Sequence, residues 1–187
     1  MRILKRIDDS VLWLLEANPV AASNLRKEAA ARGVDPARLV FAARMHHTSH
    51  LARHRLADLF LDTMPYNAHT TASDALWAGL PLLTLIGETF AGRVAASLLT
   101  AVGLPELITT TLEAYEELAV ELATNPEKLA AIKSKLGRNR MTAPLFNTQL
   151  LVGQIEAAYT AMYARYQANL PPERMDVAIG SKERPNS

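Results

Sequence analysis

From Val11 to Thr109, short apolar runs alternate with Ala-rich helical stretches, and that alternation restricts the fold more than any other feature of the chain. Val11 to Leu15, Leu39 to Phe41, Leu59 to Leu61, Leu82 to Leu85 and Leu107 to Thr109 read as strands. Ser23 to Arg32, His47 to Leu56, Thr71 to Ala78 and Ala91 to Val102 carry a helical apolar period. Apolar strands separated by helices belong to a parallel sheet buried on both faces, because each crossover lays a helix over the sheet. The predicted class is therefore α/β, a Rossmann-like parallel sheet with helices on both faces. Gly33 and Gly103, each followed by an X-Pro pair (Asp35-Pro36, Leu104-Pro105), supply the expected helix stops.

Beyond Thr111 the pattern is helical only: Leu112 to Thr124, Pro126 to about Gly137, and Thr148 to Ala168. This predicts one unit over 1–168, with a helical part over 112–168. A tail over 169–187, bearing Pro171, Pro172 and a polar end, is expected to be disordered. Tyr159, Tyr163 and Tyr166 share one face of the last helix and read as packing against a core or a neighbour. Ile3 to Ile7 looks like the end of a helix, which suggests that the chain starts inside a longer protein.

The 187 residues are enough for one domain with a sizeable core. Twenty basic and 19 acidic side chains leave a net charge of +1, so no bulk field draws nucleic acid or an acidic membrane, and any anion site has to be local. The absence of cysteine removes disulfides, thiolate metal sites and a cysteine nucleophile, and fits a cytoplasmic protein. No apolar run approaches the ~20 residues that span a bilayer.

In an open parallel sheet, ligands bind beyond the carboxyl ends of the strands. After Leu59 to Leu61 comes Asp62-Thr63-Met64-Pro65-Tyr66-Asn67-Ala68-His69-Thr70-Thr71, which runs into a helix carrying Asp74. Backbone N–H groups of the first turn, the positive end of the helix dipole and the hydroxyls of Thr70 and Thr71 suit a phosphate. Thr70 or Thr71 acting as a plain N-cap is an equal reading. His69 stands at the mouth of this helix, and Asp74 suits either the dipole or ribose hydroxyls. The next strand ends in Gly87-Glu88-Thr89-Phe90-Ala91-Gly92-Arg93, where Glu88 and Thr89 face the same edge or cap the following helix.

The segment Arg44-Met45-His46-His47-Thr48-Ser49-His50 follows Leu39 to Phe41, and His47, His50 and His54 share a helical face. Arginines crowd that helix and no carboxylate or thiolate completes a ligand set, so a base-stacking ring is preferred to a metal site. The GxSxG, HExxH, GxxxxGK[ST] and GxGxxG signatures are absent.

The run from Asp58 through His69-Thr70-Thr71, Asp74, Leu76-Trp77-Ala78-Gly79-Leu80-Pro81 and Gly87-Glu88-Thr89 closely resembles bacterial O-linked N-acetylglucosamine transferases. These form glycosyltransferase family 41, which includes the SPINDLY-like enzymes. The likeness extends from Ser10-Val11-Leu12-Trp13-Leu14-Leu15 to Ala143-Pro144-Leu145-Phe146-Asn147. It implies the C-terminal lobe of a GT-B enzyme that moves N-acetylglucosamine from UDP-N-acetylglucosamine to Ser or Thr hydroxyls without a metal or other cofactor. The other lobe and tetratricopeptide repeats would lie outside this chain and meet the acceptor proteins.

By the same resemblance, His69, Thr70 and Thr71 hold the diphosphate and the donor sugar and stabilise the departing charge, and Asp74 contacts the ribose. His50 lies against the uracil, and the backbone at Arg44 and Met45 reads its edge; Glu88 and Thr89, at the same edge of the sheet, are counted with the substrate-binding residues. This chain has His47 where animal members carry a ribose-contacting lysine. A Gln and a Lys of the family pattern fall upstream of Met1, so the chain alone is expected to bind the donor without turning it over. UDP-glucose or another NDP-sugar, and a non-catalytic nucleotide-binding or interaction module, are the alternative readings.

Overall fold

The computed structural model describes residues 1–177. Its elements are α1 (Arg2–Arg6), β1 (Leu12–Leu15), α2 (Pro19–Ala31), β2 (Leu39–Ala42), α3 (His47–Arg53), β3 (Phe60–Leu61), α4 (Thr70–Ala78), β4 (Leu82–Leu85), α5 (Val94–Ala101), β5 (Ile108–Thr109), α6 (Leu112–Thr124), α7 (Pro126–Asn139) and α8 (Thr148–Gln167). All five expected strands form, and every pairing is parallel. The class is α/β, parallel strands flanked by helices. The part of the expected tail from residue 178 onward lies outside the described residues.

One feature of the expected sheet is corrected. The strands close into two ladders, β1-β2 and β3-β4-β5, and β1 and β3 each pair along a single edge among the described residues. Which strand lies beside β1 is decided in three dimensions, and the local apolar pattern carries no information on it.

Burial on both faces holds for β4, whose Leu82, Leu83 and Thr84 are wholly buried. Leu76 of α4, Leu99 of α5, Leu122 of α6 and Leu136 of α7 pack around it with Leu104 and Leu107. Among the described residues the apolar cover of sheet β1-β2 lies on one face, where Leu4 and Ala29 meet Leu39, Leu12, Leu14 and Phe41. Trp13 and Val40, paired across the two strands, occupy the opposite and more open face. That one-sided cover explains why β1 and β2 are not buried as their composition suggested.

Local chemistry fixes most helix ends. The side chains of Asn18, Thr111, Asn125 and Asn147 accept the N–H of Ala21, Ala114, Lys128 and Leu150, which caps α2, α6, α7 and α8. The Asn18 cap with Pro19 in the first turn starts α2 ahead of the expected Ser23. Gly33 and Gly103 stop α2 and α5 with φ of 69° and 75°, conformations that disfavour a side chain. None of the α8 residues is buried, and Tyr159, Tyr163 and Tyr166 are exposed, so the expected packing of that face against a core is not found within the described chain.

Candidate functional site

Helix α4 begins differently from the capped helices. Its N-cap residue is His69, and no side chain caps it. Thr70 and Thr71 lie inside the first turn and are exposed, so the reading of either as a plain N-cap is overturned. The first intrahelical bond runs from Ser73 N–H to His69 O at 3.1 Å, and the N–H groups of Thr70, Thr71 and Ala72 have no protein acceptor among the described residues. Free donors and the positive end of the dipole therefore meet at this point. At the other end, Gly79 closes α4 in a left-handed cap and Arg140 Nη1 donates to Trp77 O at 2.9 Å.

The loop that delivers α4 is built on a buried carboxylate. Asp62 Oδ1 accepts the N–H of Thr63 at 2.8 Å and of Ala68 at 2.7 Å, while Oδ2 accepts the hydroxyl of Thr84 at 2.6 Å. Tyr115 of α6 donates its hydroxyl to Asp62 O at 3.0 Å. Burial, with the Asp62 charge nearby, holds the Tyr115 phenol well above its ordinary range, so it is a fixed donor. Asn67 is 1% exposed. Its Nδ2 reaches Thr63 O at 2.9 Å, and its Oδ1 has no protein partner among the described residues.

The loop after β4 is locked to the loop after β3. Asn67 N–H donates to Ala91 O at 3.0 Å, and Gly87 N–H donates to Gly92 O at 2.7 Å. A Cβ on Gly92 would stand 3.1 Å from Pro65 O and 3.2 Å from Gly87 Cα, so glycine permits the approach of the two loops. Thr89 Oγ1 accepts Gly92 N–H at 3.1 Å and thus closes a turn. Helix α5 starts only at Val94, without a side-chain cap, so neither Glu88 nor Thr89 caps it as allowed for. Glu88 is exposed, with no ion-pair partner among the described residues.

Around the start of α4 the structure gathers part of the expected set. His69 Nε2 lies 3.5 Å from Ala91 O. Tyr66 stacks on the His69 ring at 4.9 Å, and Phe90 meets it edge-on at 6.1 Å. From the α3 side, His47 Nε2 comes to 3.3 Å from Asp74 Oδ2.

His50 is set within α3. Its Nδ1 accepts Arg53 Nε at 3.0 Å, and His54, whose Nδ1 lies 2.8 Å from His50 O, packs edge-on at 4.6 Å. Arg53 also donates to Ala43 O at 3.0 Å and lies over the Trp13 ring. Burial, then the neighbouring His54 and Arg53, lowers the His50 pKa below its ordinary value, so folding favours the neutral ring. Arg44 and Met45 are exposed on the segment after β2.

Sequence reasoning did not single out Asp62, Tyr66, Phe90 or Arg53. Asp62 had a usable signal, an acid at the carboxyl end of a strand, whereas the two rings read as ordinary loop residues. No three His, Asp or Glu side chains converge as a metal-ligand group among the described residues. A recess of about 400 Å³ beside α2, lined by Glu16, Arg26, Lys27 and Pro36 among others, holds none of the expected site residues.

The fold is a parallel α/β layer with polar groups at the strand carboxyl ends beside an uncapped helix start, the place where open α/β sheets take ligands. The profile of glycosyl transferase family 41 matches residues 1–155, and the chain belongs to that family. It is 41% identical over 98% of its length to the probable UDP-N-acetylglucosamine–peptide N-acetylglucosaminyltransferase SEC of Arabidopsis thaliana, covering 19% of that protein. It is 37% identical over 91% of its length to the UDP-N-acetylglucosamine–peptide N-acetylglucosaminyltransferase of Caenorhabditis elegans, covering 15%. The fold matches that of a lysine-to-methionine mutant of the Thermobaculum terrenum O-GlcNAc transferase with a TM-score of 0.84 and 32% identity, over 90% of this chain and 33% of that one. The chain thus spans a minor part of each relative's length.

Proposed function

We propose that residues 1–168 are the donor-binding lobe of a UDP-N-acetylglucosamine-dependent protein O-glycosyltransferase acting in the cytoplasm. The observation that carries this reading is the uncapped start of α4, with three free backbone donors next to Thr70, Thr71 and His69. The UDP-N-acetylglucosamine–peptide transferases among the relatives support the donor and the acceptor class. None of the helices among the described residues is long and apolar enough to cross a membrane.

In this reading the diphosphate sits at the α4 start. The nucleoside extends toward α3, where Asp74 and His47 take the ribose, His50 lies against the base, and the backbone at Arg44 and Met45 meets its edge. Glu88 and Thr89 border the sugar side. An acceptor Ser or Thr hydroxyl attacks the anomeric carbon as the bond to the diphosphate breaks. UDP leaves with the electron pair, and the hydroxyl proton passes to a base outside this chain. The N–H groups, both threonines and His69 stabilise the charge that builds on the diphosphate, so no metal is required.

Calorimetric titration of UDP, with ATP as control and no added metal, tests the reading. UDP should bind selectively, and a His69→Ala, Thr70→Ala double variant should lose at least about tenfold in affinity, because hydrogen bonds to a charged group are worth about 1.5–3 kcal/mol. Equal binding of ATP, or an unchanged double variant, would overturn it.

A further inference from the structure

We propose that Asn67 is a positioning residue for the diphosphate: its buried amide pins the loop after β3 to the loop after β4 and so aims His69 and the free N–H groups at the start of α4. This rests on the donor-lobe reading and concerns a side chain to which that reading gives no part.

Asn67 is polar and lies in a loop, yet it is only 1% exposed. Its Nδ2 donates to Thr63 O at 2.9 Å and reaches the carbonyl of Leu85, the last residue of β4, at 3.5 Å. Turning the amide over would set Oδ1 against those two carbonyls, so they fix its orientation. Oδ1 itself has no protein partner among the described residues. Burying an amide that the protein satisfies only by half costs free energy that an apolar side chain would avoid. What the amide supplies is a fixed geometry between two loops.

The backbone of the same residue makes the second tie. Its N–H donates to Ala91 O at 3.0 Å, and His69 Nε2 lies 3.5 Å from that same oxygen. Asp62 Oδ1 accepts the N–H of Thr63 and of Ala68, which clips both ends of the segment that holds Asn67. Only Ala68 and His69 separate Asn67 from Thr70, the first residue of α4 and the first of its free donors. A shift at Asn67 therefore passes directly to the helix start. The groups proposed for the nucleoside are anchored elsewhere: His47 and His50 belong to α3, and Asp74 lies further along α4, between the buried Ala72 and Ala75. Loss of the pin should misalign the donors to the phosphates and spare the hold on the nucleoside.

The experiment titrates UDP and uridine by NMR into the 187-residue chain, Asn67→Ala, Asn67→Leu and Asn125→Ala, each well below its unfolding transition. Asn67→Leu keeps the branched outline of the side chain, and neither substitution at this position changes the charge near the phosphates. Asn125→Ala removes the cap of α7, an element outside both loops, and so destabilises the chain elsewhere. In both Asn67 variants affinity for UDP should fall about tenfold, the size of one misaligned hydrogen bond to a charged group, and affinity for uridine by no more than about twofold. Asn125→Ala should bind both as the parent chain does. Coupling is reciprocal, so UDP should slow hydrogen exchange at the Asn67 N–H of the parent chain about tenfold, and uridine should not.

Equal losses for UDP and uridine, no loss in either Asn67 variant, or the same loss in Asn125→Ala would overturn the pin. If neither Asn67 variant folds, an Asn67 N–H whose exchange UDP leaves unchanged refutes it. UDP binding to the parent chain that the Asn67 variants do not weaken removes the pin and leaves the donor lobe standing, whereas failure of the parent chain to prefer UDP to ATP removes both.

Discussion

The hydroxyl of Thr84 donates to Asp62 across 2.6 Å, joining the middle of β4 to the residue at which β3 turns into the site loop. The same carboxylate holds the N–H groups of Thr63 and Ala68, so the bond connects the buried centre of the sheet to the segment that aims α4. Thr84→Val keeps the shape and removes the donor. It should cost about 1–3 kcal/mol, read as a lower urea midpoint with an unchanged slope. Asp62→Ala frees both loop N–H groups as well and should cost more.

Gly87 and Gly92 make a paired test of loop contact. A methyl at Gly87 meets its nearest atoms at 3.5 Å, ordinary contact, whereas at Gly92 it meets Pro65 O, Gly87 Cα and Thr89 Oγ1 at 3.1 to 3.3 Å. Gly92→Ala should destabilise by about 1–3 kcal/mol and weaken UDP binding, while Gly87→Ala leaves both nearly unchanged. Thermal melts and calorimetry of the two variants check the contrast.

The His47–Asp74 contact is a different case, because His47 is 65% and Asp74 21% exposed. An exposed pair of this sort contributes little to stability, so His47→Ala should shift unfolding by no more than about 0.5 kcal/mol. Asp74→Ala should also leave the melt almost unmoved and yet reduce UDP affinity, as the proposed donor site gives this carboxylate to the ribose. A large stability loss in either variant would argue that the contact is structural.

Stability should depend on pH through His50. Its pKa in the folded chain is lowered below the ordinary 6.5 by burial, His54 and Arg53, so folding favours the neutral ring. The unfolded state then binds the proton more readily. The stabilisation is complete above about pH 6.5 and is lost as pH falls through that value toward the folded pKa. Melting temperatures from pH 7.5 to 5.5 should fall for the parent chain and fall less for His50→Gln.

How much of this was readable from residues alone follows from what each feature depends on. The five strands and the helix over 112–124 are encoded by local apolar period and came through with small shifts at their ends. The start of α5 was misplaced by three residues, because the turn closed by Gly92 on Thr89 competes with helix over the same stretch. Thr70 and Thr71 read equally as caps until the backbone showed His69 in that position. The division into two ladders and the mounting of Tyr66 and Phe90 join elements through space and leave no periodic trace, whereas the Arg53–His50 bond spans one turn of α3. Asp62 was visible as an acid after a strand, but Thr84 of β4 and Tyr115 of α6, which bond to it, are brought there only by the fold.

Arg140 donates to a carbonyl at the far end of α4, beyond the buried face of Leu76. A guanidinium there screens the negative pole of the helix, which at nine residues is about 13 Å long. The two ends of α4 are thus unequal, the carbonyl end met by a cation at an exposed contact and the N–H end left open by every side chain among the described residues. A chain with a net charge of only +1 can in this way present a focused attraction for anions at one point of its surface.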